Sequence, residues 1–401
     1  MGQKVSRRYD PPDSPRSVGW VTPQQVQLAN ASNPLSLCCG AALDYVVVEY
    51  EQYGHMNADR SNVVLITHAL SGDAHAAGWD ATTAHTGRTW RDRKPGWWDA
   101  VIGPGKPIDT DHWCVICSNV LGGCYGTTGP ASINPTTGLA WGMRFPVVTV
   151  EDWVQLQARL MDHLQVQRLH AVIGGSLGGQ QALEWALAFP ERVGRIACLA
   201  ASPRLSTQGV AFNAVGRHAI MRDPHFNNGD YYTGPGPQDG LASARMLAHI
   251  TYLSDQGLEN KFGRRRRDQQ APGFGFDIEF EVESYLDYQG RSFVERFDAN
   301  SYCYITRAMD YYDAAQRWGD GDLVTACKRL QSKVLVVGFS SDWLYTPEDC
   351  REFAVAMCRA GKLVSYADIE SPYGHDAFLV EEAPVGRLLR SFLHAQQGSM
   401  P

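Results

Sequence analysis

The stretch at 170–185, HAVIGGSLGGQQALEW, sets four glycines and one serine between two apolar runs. Residues 170–173 are short and β-branched at their centre, which reads as a buried strand. From Gln180 onward the chain reads as a helix, with Ala182, Leu183, Trp185, Ala186 and Leu187 forming its apolar face. Between them, Gly174-Gly175-Ser176-Leu177-Gly178 fits G-x-S-x-G. A strand that turns sharply into a helix forces its central residue into strained backbone geometry, and flanking glycines remove the side chains that would clash. Ser176 would then stand at the carboxyl edge of a sheet. The motif alone recurs by chance in about one chain of this length in ten, so the rest of the chain has to supply its partners.

Strand-like runs recur at 45–50, 63–67, 113–117, 171–173, 196–200, 334–339 and 363–369, with helical patterns at 150–164 and 180–189 between them. Such alternation predicts an α/β fold with a mostly parallel sheet covered on both faces. It stops over 204–326, where helical candidates at 211–221, 240–254 and 293–313 predict a cap inserted between two halves of the core, 41–203 and 327–398. Residues 1–40 read as a loose tail.

The chain's 401 residues, 44% hydrophobic, suffice for one large core plus an insertion. A formal net charge of −7 gives no sign of nucleic-acid or anionic-membrane binding. No apolar run reaches the length of a membrane span. The polar start, MGQKVSRRYDPPDSPRS, has no secretory apolar core. Met1-Gly2 with Ser6 fits the short myristoylation pattern, which carries little weight. Arg264 to Arg267, beside Asp268, read as a solvated loop. Ten scattered cysteines, Cys114-x-x-Cys117 within a strand among them, read as reduced thiols of a cytosolic protein.

Ligands of open α/β sheets bind at the carboxyl ends of the strands, so the partners of Ser176 should also follow strands, an acid first and then a histidine. Five histidines follow Ser176. His218, His225 and His249 fall in the presumed cap, and His394 in a polar terminal helix. His375 lies just past LVSYADI, in SPYGHDAF. Asp342 follows VLVVGF, in SSDWLYTP. A serine hydroxyl is a poor nucleophile until a base takes its proton. His375 would be that base, and Asp342 would fix its tautomer and stabilise the imidazolium. The oxyanion needs two fixed donors. The Leu177 N–H is one candidate, and Leu70, in VVLITHALSGDAH, is the other. His68 and His75 read as supports of that loop.

With these residues assembled, the chain resembles the homoserine O-acyltransferase family of the α/β-hydrolase fold. The resemblance is carried by NADRSNVVLITHALSGDAH, NVLGGCYGTTGPASINP, FPVVTVEDWV, GGSLGGQQALEWA, FNAVGRHAI, ARMLAHITYLSD, FDANSYCYITRAMDYYD, SDWLYTPE and YGHDAFL. It implies Ser176 as nucleophile, Asp342 and His375 as its triad partners, and Leu70 and Leu177 as oxyanion donors. It further implies that Arg217 binds the carboxylate of the amino-acid substrate, which suits a planar guanidinium, and that Asp376 takes its ammonium. The implied substrates are L-homoserine and an acyl-CoA, with no bound cofactor or metal, in a homodimer joined through the caps. Rival readings are an esterase on the same fold, a non-catalytic binding module, and serine O-acylation.

Acetyl and succinyl donors are to be separated at Leu344. Succinyl-CoA users in the family resemble a pattern with arginine two positions after the catalytic aspartate, where this chain has a leucine. Other segments look like the branch that includes succinyl users, and a basic residue such as Arg144 could serve from another wall. The apolar side chain at 344 predicts acetyl-CoA as donor, with succinyl-CoA as the alternative.

Overall fold

The computed structural model describes residues 9–267 and 272–395. Its centre is an eight-stranded sheet, in the order Val364–Ile369, Lys333–Phe339, Arg195–Leu199, Ala171–Gly175, Val63–Thr67, Cys114–Ser118, Val46–Tyr53 and Gln24–Ala29. The first six strands run parallel, and the last two are antiparallel to their neighbours. The parallel strands inside the sheet are apolar on both faces, whereas the edge strand Val364–Ile369 exposes Ser365 and Asp368. Val63 and Leu65 enter one core cluster, while Val64 and Ile66 enter the other. That is what a sheet covered on both sides requires. Cys114 and Cys117, three positions apart on one strand, likewise fall into opposite clusters, both buried and free.

The strand order places the site. From Val63–Thr67 the chain moves to Cys114–Ser118 on one side and then to Ala171–Gly175 on the other. A crevice opens where the order reverses. The loop bearing Leu70 and the turn bearing Ser176 both project into it.

Between Arg195–Leu199 and Lys333–Phe339 no strand among the described residues joins the sheet; the main helices there are Thr207–Arg222, Gln238–Tyr252, Glu281–Val294 and Ala299–Tyr311. The predicted run over 293–313 is two helices. Asp298 breaks it, its side chain accepting from the Ser301 N–H at 2.8 Å as the amino-terminal cap of the second. Helix Glu281–Val294 lies outside the predicted runs except for its last two residues.

Residues 9–40 depart most from expectation. Gln24–Ala29 pairs along Val46–Tyr53 as the edge of the sheet. Arg159 then ties the segment down by donating to the carbonyls of Leu28, Asn33 and Pro34. The myristoylation pattern lies outside the described residues. Of the arginine run, Arg265 is exposed and pairs with Glu281 at 2.8 Å. Among the described residues no helix is long and apolar enough to cross a membrane.

Candidate active site

Ser176 stands at φ +56°, ψ −128°, between the strand Ala171–Gly175 and the helix Leu177–Ala188. A side chain pays a steric cost for positive φ, and four glycines make the turn fit. A Cβ on Gly174 would lie 2.3 Å from the Gly178 carbonyl carbon, and one on Gly178 2.0 Å from the Thr67 oxygen. One on Gly175 would meet the Phe378 ring at 2.2 Å, and one on Gly179 the Ala201 side chain at 2.4 Å. The glycines therefore press the turn against two neighbouring strand ends and against the histidine-bearing segment.

Asp342 and His375 come together. Asp342 Oδ2 lies 2.7 Å from His375 Nδ1, and both residues are buried. Asp342 Oδ1 accepts from the N–H groups of Leu344 at 2.9 Å and Tyr345 at 3.0 Å, so the carboxylate is held on both oxygens. Burial pushes the His375 pKa down, but the charge of Asp342 and its hydrogen bond outweigh burial, and the net shift is upward. The ring is packed by Tyr345, Phe378 and Tyr252, with centroids 5.4, 5.7 and 6.0 Å away. Ser176 Oγ and His375 are not hydrogen-bonded. They share neighbours instead: Phe378 packs on Gly175, and Tyr252 lines the same cavity as Ser176.

That cavity is small, about 40 Å³, and Leu70 and Leu344 are among its walls. Neither the Leu70 nor the Leu177 N–H donates to another group among the described residues, so both are available to an oxyanion. The Leu70 loop is braced from below. His68 Nε2 accepts from the Val120 N–H at 3.3 Å, Gln181 donates to the His68 carbonyl at 3.1 Å, and buried His75 pairs with Glu51 at 3.0 Å. These contacts give both histidines the supporting role expected of them.

A second cavity, of about 240 Å³, shares Tyr252 with the first and is lined by Asp376 and by Arg91, Arg245 and Arg296. Burial raises the Asp376 pKa, against the opposing pull of His375 and Arg245.

Arg217, expected to face Asp376, is not among the residues that line the Asp376 cavity, and its buried Nη1 has no hydrogen-bond partner among the described residues. Its Nη2 pairs with buried Asp310 at 2.5 Å, and Asp310 also accepts from Asn213 at 2.9 Å. The arginine that shares the cavity with Asp376 is Arg245. It is buried, makes no ion pair among the described residues, and has an Nη1 with no hydrogen-bond partner. Its guanidinium packs 5.5 Å from the Tyr252 ring centre and 4.6 Å from that of Phe293. The sequence held a signal for it: Leu241, Arg245, Ala248 and Tyr252 fall on one helix face, a charge inside an otherwise apolar stripe.

Comparison with known proteins covers nearly the whole chain. A family model described as the alpha/beta hydrolase fold matches residues 62–382. A homoserine O-succinyltransferase of Acidithiobacillus ferrooxidans is 51% identical over 378 residues, which is 94% of this chain and 96% of the relative. Further relatives at 50–52% identity carry the same name. Among solved structures, a homoserine O-acetyltransferase from Bacillus anthracis superposes with a TM-score of 0.85 at 30% identity, covering 95% of this chain and 99% of that one. Esterase E22 superposes with a TM-score of 0.83 at 29% identity, covering 93% and 100%.

These relatives overturn the expectation of an acetyl donor. Leu344 does line the Ser176 cavity as an apolar wall, but a leucine there removes a cation from one position only. The neighbouring cavity carries several others. Arg144, the other basic residue considered, pairs with Asp230 at 2.6 Å on the exposed surface.

Proposed function

Because the chain belongs to the homoserine O-acyltransferase family of the α/β-hydrolase fold, we propose that it transfers a succinyl group from succinyl-CoA to the hydroxyl of L-homoserine. The succinyl donor rests on the relatives at 50–52% identity. The observation that carries the chemistry is the buried 2.7 Å Asp342–His375 pair beside a serine held at φ +56°.

In this reading His375 takes the Ser176 proton as Oγ attacks the thioester carbonyl. The oxyanion is met by the N–H groups of Leu70 and Leu177. Collapse breaks the C–S bond, and the CoA thiol leaves with the proton held on His375. Homoserine then gives its hydroxyl proton to His375 and attacks the succinyl-serine. The second collapse returns that proton to Ser176 Oγ and releases O-succinylhomoserine. Arg245 and Asp376, in one cavity, hold the carboxylate and ammonium of the amino acid, with Arg245 replacing Arg217 in that role. The likeness to an esterase favours one second reading, in which water takes the acyl group.

The test supplies purified protein with succinyl-CoA or acetyl-CoA and with homoserine, serine or no acceptor. Thiol release and intact mass are followed. Succinyl-CoA without acceptor should leave one succinyl group on the protein, on Ser176, and homoserine should discharge it faster than water. Ser176→Ala should abolish the adduct and keep the fold. Discharge by water as fast as by homoserine would establish the esterase instead.

A further inference from the structure

A succinyl donor poses a question that the Ser176 cavity does not answer. Its walls include Leu70, Leu344 and Tyr252, and no cation, yet the succinyl chain ends in a carboxylate. A charge taken into such a site unpaired is strongly disfavoured. The adjoining 240 Å³ cavity, which Tyr252 shares, does carry cations.

The basic residues of that cavity are not equivalent. Arg91 is already neutralised by two carboxylates, Asp73 at 2.6 Å and Asp80 at 2.7 Å. Lys94 is exposed at the surface. Arg245, facing Asp376, belongs to the amino-acid acceptor in the reading above. Arg296 remains. It makes no ion pair among the described residues, and its two hydrogen bonds both come from Nη1, to the Ser71 carbonyl at 3.1 Å and the Tyr125 hydroxyl at 3.0 Å. A guanidinium carries five N–H donors, so its remaining edge is available for a carboxylate.

Its position fits as well. Ser71 directly follows Leu70, whose N–H is the proposed oxyanion donor, so the Arg296 tip is anchored one residue from where the thioester oxygen is held. With bonds of about 1.5 Å, a succinyl chain reaches roughly 5 Å from its carbonyl carbon to its carboxylate oxygens, slightly more than the ~3.8 Å between consecutive Cα atoms.

We propose that Arg296, fixed by Ser71 and Tyr125 beside the oxyanion loop, receives the terminal carboxylate of the succinyl donor and so sets donor specificity. The proposal rests on the succinyltransferase reading, and Leu344 keeps the lesser part of an apolar wall along the methylenes.

The experiment compares kcat/KM for succinyl-CoA, acetyl-CoA and succinamoyl-CoA, the uncharged amide of the same shape, in the native enzyme, Arg296→Met and Arg296→Gln. Gln keeps a donor for the Ser71 carbonyl and loses the charge, so either variant suffices if the other does not fold. Succinyl-CoA should lose on the order of 100-fold relative to acetyl-CoA in both variants, and the native preference for succinyl-CoA over its amide should collapse. An equal fall for all three donors would make Arg296 a support of the loop and overturn the proposal. So would an unchanged succinyl-to-amide preference. A native enzyme that does not use succinyl-CoA at all would refute the donor reading itself, a result distinct from either of these.

Discussion

Arg217 and Arg245 lie on the inward faces of neighbouring helices, and their surroundings differ in charge. Arg217 is neutralised by Asp310 at 2.5 Å, whereas Arg245 is buried with no counter-charge within ion-pairing distance. A buried, unpaired guanidinium is a standing cost that a bound carboxylate relieves. Arg245→Met should therefore reduce kcat/KM for homoserine by about 2–5 kcal/mol of binding energy while leaving stability to urea equal or higher. Arg217→Met should do the reverse, stranding Asp310 and costing about 3–5 kcal/mol of stability. Homoserine saturation curves and urea melts of both variants give the answer, and a crossed result would return the substrate role to Arg217. The positions of Ser176, Asp342 and His375, each in a turn just past a strand, were legible from local sequence. The choice between the arginines was not. Helix periodicity points both inward, and only Asp310, 93 residues beyond Arg217, separates them. The donor failed to show for a related reason: Leu344 reports on one wall, and the charge of a succinyl group can be met from another.

The helix Leu177–Ala188 is buried almost all round, yet it carries Gln180, Gln181 and Glu184, each fully buried. Its apolar face was plain from the sequence, but the burial of its polar face was not. It follows from the helix being wedged between the sheet and its neighbours. Gln181 is satisfied, accepting from Gln157 at 2.8 Å and donating to the carbonyl of His68, and so couples the helix to the oxyanion loop. Glu184 is satisfied on one side only. Trp318 donates to its Oε2 at 2.9 Å, and Oε1 has no partner. Burial raises its pKa from 4.5 to about 8, against the Trp318 hydrogen bond. The folded state thus holds a proton that the unfolded chain releases near pH 4.5. Its stabilising influence is complete below that pH and is lost as pH rises to about 8, at a slope of at most ~1.4 kcal/mol per pH unit. Glu184→Gln keeps an acceptor for Trp318 and has no proton to lose. Urea melts between pH 5 and 8.5 should show the native protein weakening relative to Glu184→Gln as pH rises. Parallel curves would mean that Glu184 stays ionised in the fold.

For the whole molecule, the sheet and the helices over it meet at the histidine. The end of helix Gln238–Tyr252, which carries Arg245 and Tyr252, is fastened to the loops after the last two strands. Trp343 donates to the Leu253 carbonyl at 3.0 Å, and Ser254 Oγ to the Pro372 carbonyl. Gly374, the residue before His375, lies at φ +63°, where a Cβ would come within 2.6 Å of the Ser254 nitrogen and 2.7 Å of the Tyr252 oxygen. The alternation of strands and helices announced the sheet, and its interruption announced the helices. The seam between them depends on close backbone approach over long separations, which no local pattern encodes. If that seam shields the acyl-enzyme from water, opening it should change the fate of the acyl group more than its formation. Gly374→Ala would force the seam apart, since the added methyl meets backbone on both sides and the left-handed conformation itself costs about 1–2 kcal/mol. The variant should melt several degrees lower and still form succinyl-serine from succinyl-CoA. A larger share of that intermediate should then pass to water when homoserine competes for it. Product analysis of a preformed acyl-enzyme, with O-succinylhomoserine weighed against free succinate, measures the partition directly. A lower melting temperature with an unchanged partition would leave the seam a purely structural joint and place the exclusion of water elsewhere in the cavity.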